Sequence, residues 1–412
     1  MPARPTDVRL ALLVAVSGFG CGVAAPGLWE SRAFCWVVHG SAALSVIGLL
    51  MFFAWYRWVI PVVFNRSPRL GGSLGPVWAL FMMTKPLELG WRLATARFRV
   101  LPDICIIGEV RCGTTTLAAH LLQFPGAVGP WCGFIHPLDG KESFYFAGHY
   151  FGLVAPAMYR MVFPLALTRW FYRSVLGRPY LVFDGCAQYL TAPWAPELLA
   201  AAAGPGLKLL VCLRDPVDQN VSWWRFEHGF MGFGDSIGLA AVGAGIPEVR
   251  SRYPPATLEE SHALSIAPDV AAKYQEAERL GAEVARGAAA TLPGWALTWP
   301  NGQLSAAARN GVFADNIARW LKWFPRENFE FIELSELSSN LAGVLGRVEA
   351  QLPAGYRSGF GDKAGVPAVR LNASGQFGAE PSKAALEKLA RFYRPHNQRL
   401  FKLIGRRFDH WK

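Results

Sequence analysis

Charged residues are scarce in this sequence: Asp, Glu, Lys and Arg make up 17% of its 412 residues, compared with about 25% in ordinary soluble domains. Because hydrophobic residues reach 52%, the composition excludes intrinsic disorder, which needs low hydrophobicity and high charge density. Acidic residues are fewer than basic ones, 30 against 41, so the formal net charge is +11. This composition indicates a membrane segment, a large core under a basic surface that attracts anions, or both.

Cysteine is also scarce and unevenly placed. The seven cysteines, none of them among the last 200 residues, do not form the even, regularly spaced set of a disulfide framework. No CxxC pair or Cys/His cluster has zinc-site spacing, so we expect no metal. The sequence also lacks an RNA-binding signature, and its scattered positive charge does not predict nucleic-acid binding.

The apolar excess is concentrated at the N-terminus. Residues 10–29 and 33–56 are uncharged stretches of 20 and 24 residues, and each is long enough to cross a hydrocarbon core about 30 Å thick. Because only a short turn separates them, they predict a transmembrane helical hairpin, with a cleaved signal segment plus one anchor as the alternative. We expect a membrane anchor at 1–60, a juxtamembrane linker at 61–100, and a Golgi or other endomembrane location. The side of the membrane on which the remaining chain lies is left open.

From about residue 101 the pattern becomes that of an α/β domain. Short apolar runs typical of buried strands occur at four places, which are 104–107, 180–183, 207–213 and 329–334. Helical patterns lie between them, including an apolar face over 312–324. Strands that alternate with helices predict a parallel, doubly wound sheet of the P-loop NTPase type over 101–412. Residues 238–311 contain a helical pattern at 258–290 and no strand signal, so we interpret them as an insertion.

A glycine-bounded loop follows the first predicted strand. Residues 108–117 read GEVRCGTTTL, which has the skeleton G-x-x-x-x-G-T-T. Such a loop binds phosphate through backbone N–H groups and the N-terminus of the next helix. A Walker A loop would have lysine at the position of Thr114, and here the basic residue is Arg111 instead. The loop is therefore suited to holding the phosphate of a leaving group and poorly suited to γ-phosphoryl transfer.

Two further motifs lie where ligands bind in such folds. Arg214 directly follows the strand pattern at 207–213, and Ser222 comes eight residues later, about two helical turns on. Together with the loop, these residues point to one ligand with two separate phosphates. The third motif is the pair Lys141 and Glu142, followed by aromatic residues. Glu142 could deprotonate an acceptor hydroxyl, although a solvated strand end is an equally good interpretation of this motif alone.

The motifs, and their order along the chain, resemble those of the PAPS-dependent sulfotransferase family. The resemblance is to its membrane-bound carbohydrate branch in particular, which includes the heparan sulfate N- and 3-O-sulfotransferases. PDICIIGEVRCGTTTL resembles the family's 5′-phosphosulfate loop, LRDPVDQNVSWW its 3′-phosphate motif, and GKESFYF the segment with its catalytic base. VFADNIARWLKWFPRENFEFIELSEL and LARFYRPHNQRLFKLIGRRFDHW resemble its C-terminal helices. The resemblance covers about residues 102–411 and is weakest over 238–311.

This resemblance implies in-line transfer of a sulfuryl group from PAPS to a hydroxyl or amine of a carbohydrate or glycolipid, without a metal. It implies that Glu142 is the base and that Arg111 stabilises charge on the departing phosphate. The residues that it implies for binding PAPS are Arg111, Cys112, Gly113, Thr114, Thr115, Thr116, Arg214 and Ser222.

The sequence departs from the family at two positions. Arg111 stands where the family usually has lysine, and because arginine does not give up a proton, it would act electrostatically. Gly185, in the segment DGCAQY, stands where the family's E-K-[ST]-P-x-Y segment has a substrate-side lysine. The family also closes its nucleotide pocket with a late basic loop, for which Lys363, Arg370 and Asn372 are candidates. A P-loop kinase or nucleotidase, and a non-catalytic membrane scaffold with the same fold, are the alternative functions.

Overall fold

The computed structural model describes residues 88–123, 126–131, 140–147, 156–231, 257–266, 307–352 and 380–411, with a few single positions between 272 and 283. All of them belong to one unit, Lys85–Lys412. The predicted membrane hairpin and the candidates Lys363, Arg370 and Asn372 lie outside the described residues. Within those ranges, none of the helices combines the length and the apolar character needed to cross a bilayer.

A five-stranded sheet forms the centre of the described domain. Its strands are β1 (Ile104–Gly108), β2 (Ala127–Val128), β3 (Leu181–Asp184), β4 (Lys208–Leu213) and β5 (Phe329–Glu333). Their order is β2-β3-β1-β4-β5, and every neighbouring pair is parallel. The predicted parallel α/β sheet is therefore confirmed.

Side chains of the central strands are buried on both faces of the sheet. Every residue of β1 and β3 is buried, and successive side chains of a strand point to opposite faces. Strands that are apolar at every position are typical of a sheet covered on both sides. The sequence shows this as continuous apolar runs instead of alternation, which is why these strands could be predicted.

Ten α-helices occur in the described residues. They are α1 (Thr114–Leu122), α2 (Ala166–Trp170), α3 (Ala195–Ala203), α4 (Pro216–Met231), α5 (Leu258–Ser265), α6 (Ala307–Asn310), α7 (Phe313–Trp320), α8 (Leu334–Ser339), α9 (Leu341–Gln351) and α10 (Lys383–Ile404). The predicted helix over 312–324 is α7, which is shorter than expected but buries its predicted face at Phe313, Ile317 and Trp320. Of residues 238–311, α5 lies at the start of the helical pattern predicted over 258–290, and α6 lies outside that pattern.

The strand order places the candidate motifs next to each other. After β1 the chain continues to β2 and β3 on one side, and then crosses to β4 on the other side of β1. In open α/β sheets, ligands bind at such a reversal, outside the carboxyl ends of the strands. The Glu109 N–H donates to the Cys212 carbonyl at 3.0 Å, so the loop after β1 lies against the end of β4.

Candidate active site

The loop between β1 and α1 has the form of a phosphate-binding loop. It ends at Gly113, which precedes α1 and has a φ of 93°, a conformation that glycine adopts without strain. A Cβ at this position would lie 2.6 Å from Leu334 Cδ1 and 3.0 Å from Leu337 Cδ1. Glycine is therefore required both by the backbone and by α8, which packs over it. No side chain caps α1, and its N-terminus is suited to an anion.

The inner side of the loop is buried in the protein. Cys112 is completely buried in the hydrophobic core, and burial raises the pKa of its thiol well above the ordinary value. Its backbone N–H donates to the Glu109 carbonyl at 3.2 Å. Cys112 therefore supports the loop from below, and its thiol is held in the protonated form. Thr116, in the first turn of α1, is buried as well.

Glu109 is an ionisable residue beneath the loop that the motif analysis did not single out. Its side chain is fully buried. Oε1 accepts the Val110 N–H at 2.8 Å, whereas Oε2 has no hydrogen-bond partner. Burial raises the pKa of this carboxyl well above its ordinary value, because a charge is poorly solvated there. The neutral form of Glu109 keeps a negative charge away from the site.

Arg111, Arg214 and Ser222 come together at the ends of β1 and β4. The Arg111 Nε donates to the Ser222 hydroxyl at 3.1 Å, and the Arg214 guanidinium donates to the Arg111 carbonyl at 3.2 Å. These residues are more than 100 positions apart in the sequence in both cases. The structure therefore joins the two predicted phosphate motifs into one site.

This part of the site is strongly cationic. Burial, and then the charge of Arg214, lower the pKa of Arg111. In the described part of the chain, Arg214 has no carboxylate within salt-bridge distance. Two guanidinium groups that repel each other in a half-buried position favour an anionic ligand, and arginine grips phosphate in a bidentate manner.

Lys141 and Glu142 lie at the start of α1. The Lys141 ammonium donates to the hydroxyls of Thr114 and Thr115 at 3.2 Å each, and it forms a salt bridge with the Glu142 carboxylate. Lys141 is 4% exposed, whereas Glu142 remains half-buried. The structure therefore brings the candidate base to the phosphate loop, which the motif alone did not require.

A buried hydrogen-bond network around Asp184 holds this segment in place. Asp184, at the end of β3, accepts the backbone N–H of Ser143 at 3.1 Å and its hydroxyl at 2.6 Å. Its carboxylate also accepts the hydroxyls of Tyr159 and Tyr189 at 2.8 and 3.0 Å. Asp184 begins, and Tyr189 ends, the DGCAQY segment, so this segment anchors the residue that follows Glu142.

Three positioning residues were thus missed by sequence reasoning. Lys141 was noted only as the partner of Glu142, Asp184 only as part of the DGCAQY segment, and Gln219 not at all. The Gln219 side-chain amide donates to the Val110 carbonyl at 3.3 Å and so connects α4 to the phosphate loop. The one available signal was that Gln219 lies between Arg214 and Ser222.

In the described residues there is no cluster of three or more His, Cys, Asp or Glu side chains that could hold a metal.

A parallel sheet with a phosphate-type loop after its central strand, and a second cationic group after the neighbouring strand, is an arrangement typical of nucleotide-binding α/β proteins. No model of a known protein family matches the chain.

The chain is 29% identical over 331 residues to heparan sulfate glucosamine 3-O-sulfotransferase 6 of Homo sapiens. The aligned region covers 75% of this chain and 74% of that protein. It is 27% identical over 121 residues to the Mus musculus protein of the same name, with 25% of this chain and 35% of that protein covered. For Mus musculus heparan sulfate glucosamine 3-O-sulfotransferase 5 the identity is 27% over 114 residues, covering 24% of this chain and 33% of that protein.

Among solved structures, a sulfotransferase from Alicyclobacillus acidocaldarius is similar with a TM-score of 0.42 and 21% identity, covering 76% of this chain and 99% of that chain. The curated relatives are sulfotransferases by name, in agreement with the family that the motifs resemble.

Proposed function

We propose that this protein transfers the sulfuryl group of PAPS to a hydroxyl or amine of a carbohydrate or glycolipid acceptor. The observation that carries the proposal is the meeting of Arg111, Arg214 and Ser222 at one end of the sheet, with Glu142 held at the adjoining helix N-terminus through Lys141. The names of the curated relatives, heparan sulfate sulfotransferases, support a carbohydrate acceptor.

The residues present fit a nucleotide with two phosphates. The loop, the N-terminus of α1 and Arg111 suit the 5′-phosphosulfate end, because they combine backbone N–H groups with a positive charge. Arg214 and Ser222 suit the 3′-phosphate, since a guanidinium and a hydroxyl together supply several donors. When bound, PAPS would supply an activated sulfuryl group on its 5′-phosphate.

The roles of the protein groups follow from their positions. The acceptor oxygen or nitrogen bonds to sulfur, the bond from sulfur to the phosphate oxygen breaks, and the acceptor proton passes to the Glu142 carboxylate. Arg111 stabilises the negative charge that develops on the departing phosphate, without giving up a proton. Positioning and electrostatics therefore supply most of the rate enhancement, as they do in phosphoryl transfer.

We also propose that residues 10–29 and 33–56 anchor the protein in the Golgi or another endomembrane. Their length and lack of charge support this part of the proposal. Protease protection of the full chain in microsomes would test it and would also reveal on which side the catalytic domain lies. Complete digestion of both segments in intact vesicles would overturn the anchor.

The activity is tested with PAP binding by calorimetry and with transfer of radiolabelled sulfate from PAPS to a panel of glycans and glycolipids. We expect Glu142→Gln to bind PAP normally and to lose about 10²- to 10⁴-fold in turnover, the usual contribution of a general base. Arg214→Gln should lose PAP affinity, because the 3′-phosphate loses its bidentate partner.

Matched controls come from α10. Glu387 and Arg391 are exposed on this helix, so Glu387→Gln and Arg391→Gln should leave both measurements unchanged. A wild-type protein that does not bind PAP would overturn the proposal. Hydrolysis of ATP with Mg²⁺ would favour a kinase or nucleotidase instead, and PAP binding without transfer to any acceptor would favour a scaffold.

A further inference from the structure

We propose that Lys141 is a catalytic residue that contacts the transferred sulfuryl group itself, and that Gly185 is glycine because it makes room for the Lys141 side chain. The inference rests on the proposed function, since it names the group that recognises the sulfuryl part of the donor. It differs from the roles given to Arg111 and Arg214, which serve the phosphates.

The first observation is where the Lys141 ammonium lies. It has three N–H donors, and they are directed to the hydroxyls of Thr114 and Thr115 and to the Glu142 carboxylate. The ammonium therefore lies between the first turn of the anion-binding helix and the candidate base. An acceptor that gives its proton to Glu142 must attack sulfur close to this point.

The second observation is the space beside the lysine stem. A Cβ at residue 185 would lie 3.1 Å from the Lys141 Cγ and 3.0 Å from the Lys141 carbonyl oxygen, tighter than ordinary van der Waals contact. The Gly185 N–H also donates to that carbonyl at 2.7 Å. A side chain at position 185 would thus point at the Lys141 stem. The two side chains would therefore compete for the same space.

The third observation is that hydrogen bonds fix the backbone of Lys141 and of Ser143, two residues further along. Asp184 holds Ser143 through two hydrogen bonds, and the Gly185 N–H holds the Lys141 carbonyl. A sulfuryl oxygen can therefore replace one of the hydroxyl acceptors of the ammonium without a backbone movement. The compact positive charge of the ammonium stabilises the oxygens of the sulfuryl group as the bond to the phosphate breaks.

Comparison of PAPS with PAP tests this assignment, because PAP lacks the sulfuryl group. Calorimetry with the full chain, without acceptor, measures both affinities for wild type and for Lys141→Met. We expect Lys141→Met to weaken PAPS binding about tenfold, as for the loss of a charged hydrogen bond, and to change PAP binding less than twofold. In sulfate transfer, the variant should lose kcat with little change in the KM for acceptor. Lys383→Met, at an exposed position of α10, is the matched control.

Moving the lysine from position 141 to position 185 tests the same idea through a regained binding preference instead of a lost one. In Lys141→Ala/Gly185→Lys the stem at 141 is gone, and a lysine from position 185 can enter the vacated volume. We expect this double variant to regain the preference for PAPS over PAP, whereas Gly185→Lys alone should be destabilised. Equal losses for PAPS and PAP in Lys141→Met, or a relocated lysine that restores nothing, would overturn the proposal. A wild-type protein that binds neither nucleotide would instead overturn the sulfotransferase assignment itself. A melting curve of each variant shows whether a loss of binding is caused by unfolding.

Discussion

The Asp184→Ala substitution removes the acceptor on which the Lys141–Glu142 segment depends. The lost carboxylate accepts the backbone N–H and the hydroxyl of Ser143, together with the hydroxyls of two buried tyrosines, Tyr159 and Tyr189. The Ser143 and Tyr189 hydroxyls also lie 2.7 Å apart, so these two can still bond to each other. The Ser143 N–H, the Tyr159 hydroxyl and one of the two paired hydroxyls are left without an acceptor.

The magnitude follows from these three donors. A buried donor without a partner costs about 1–3 kcal/mol, which gives about 3–9 kcal/mol for all three, and water that enters the vacated space brings the cost toward the lower end. We therefore expect the free energy of unfolding to fall by about 3 kcal/mol. Since domains have about 5–15 kcal/mol in total, the variant should still fold at room temperature.

The effect on activity should be larger than the effect on nucleotide binding. Glu142 directly precedes Ser143, and a displacement of a catalytic group by about 1 Å can cost about 10²-fold in rate. PAP affinity should change little, because Arg214 and Ser222 lie on other elements. Urea unfolding followed by tryptophan fluorescence, PAP calorimetry and sulfate transfer measure the three quantities, with Asp409→Ala at an exposed position as the control. Unfolding within about 0.5 kcal/mol of wild type, the range of ordinary surface substitutions, would refute the reasoning.

Three further predictions concern the loop and the sheet edge. Gly113→Ala should abolish PAP binding and lower the melting temperature, because its Cβ would meet Leu334 at 2.6 Å at a positive φ; unchanged calorimetry would contradict this. Burial raises the pKa of Glu109, so the folded state holds the extra proton and stability falls as the pH rises from about 4.5 through the folded pKa. Glu109→Gln should flatten that fall in urea titrations at several pH values, and an unchanged slope would disprove it. Burial alone would raise the pKa of Glu336, but the hydrogen bonds from Arg406 and from the Glu333 N–H, together with the nearby arginine charges, outweigh it and the pKa is lowered; its stabilisation is present above about pH 4.5 and is lost as the pH falls through the folded pKa. Glu336→Gln should therefore unfold less steeply with acid than wild type, and an identical acid profile would count against the ion pair.

Whether a segment forms a strand or a helix was predictable where a single local residue pattern dominates. The buried strands β1, β3 and β4 are largely continuous apolar runs, as expected for a sheet covered on both faces, whereas β5 alternates apolar and acidic residues. Strand β2 has only two half-buried residues, Ala127 and Val128, and no pattern of that length is informative. Helix α7 ends at Trp320, before its predicted end at 324, because Pro325 disfavours helical backbone at the residues just before it.

The candidate site was predictable at its motifs and not at the contacts between them. Sequence reasoning could recognise residues 108–117, Arg214 and Ser222. Glycine, arginine and hydroxyl groups that occur together at the ends of strands are typical of phosphate binding. The role of Lys141 was not, since a Lys–Glu pair is most often a solvated surface feature. Gly185 looked only like a missing lysine, and only the packing shows that a Cβ at this position would lie 3.1 Å from the Lys141 Cγ.

The sequence by itself determined the scarcity of charge, the apolar N-terminal segments, the strand pattern and the chemical groups available for binding phosphate, because these depend on composition and near neighbours. Tertiary structure alone decided that Arg111 meets Ser222 and that Lys141 meets Thr114, across 111 and 27 positions of chain. The physical reason is that the order of parallel strands and the packing of buried side chains set such contacts. Neither is encoded in any short stretch of residues, and both are satisfied only when the whole sheet has formed.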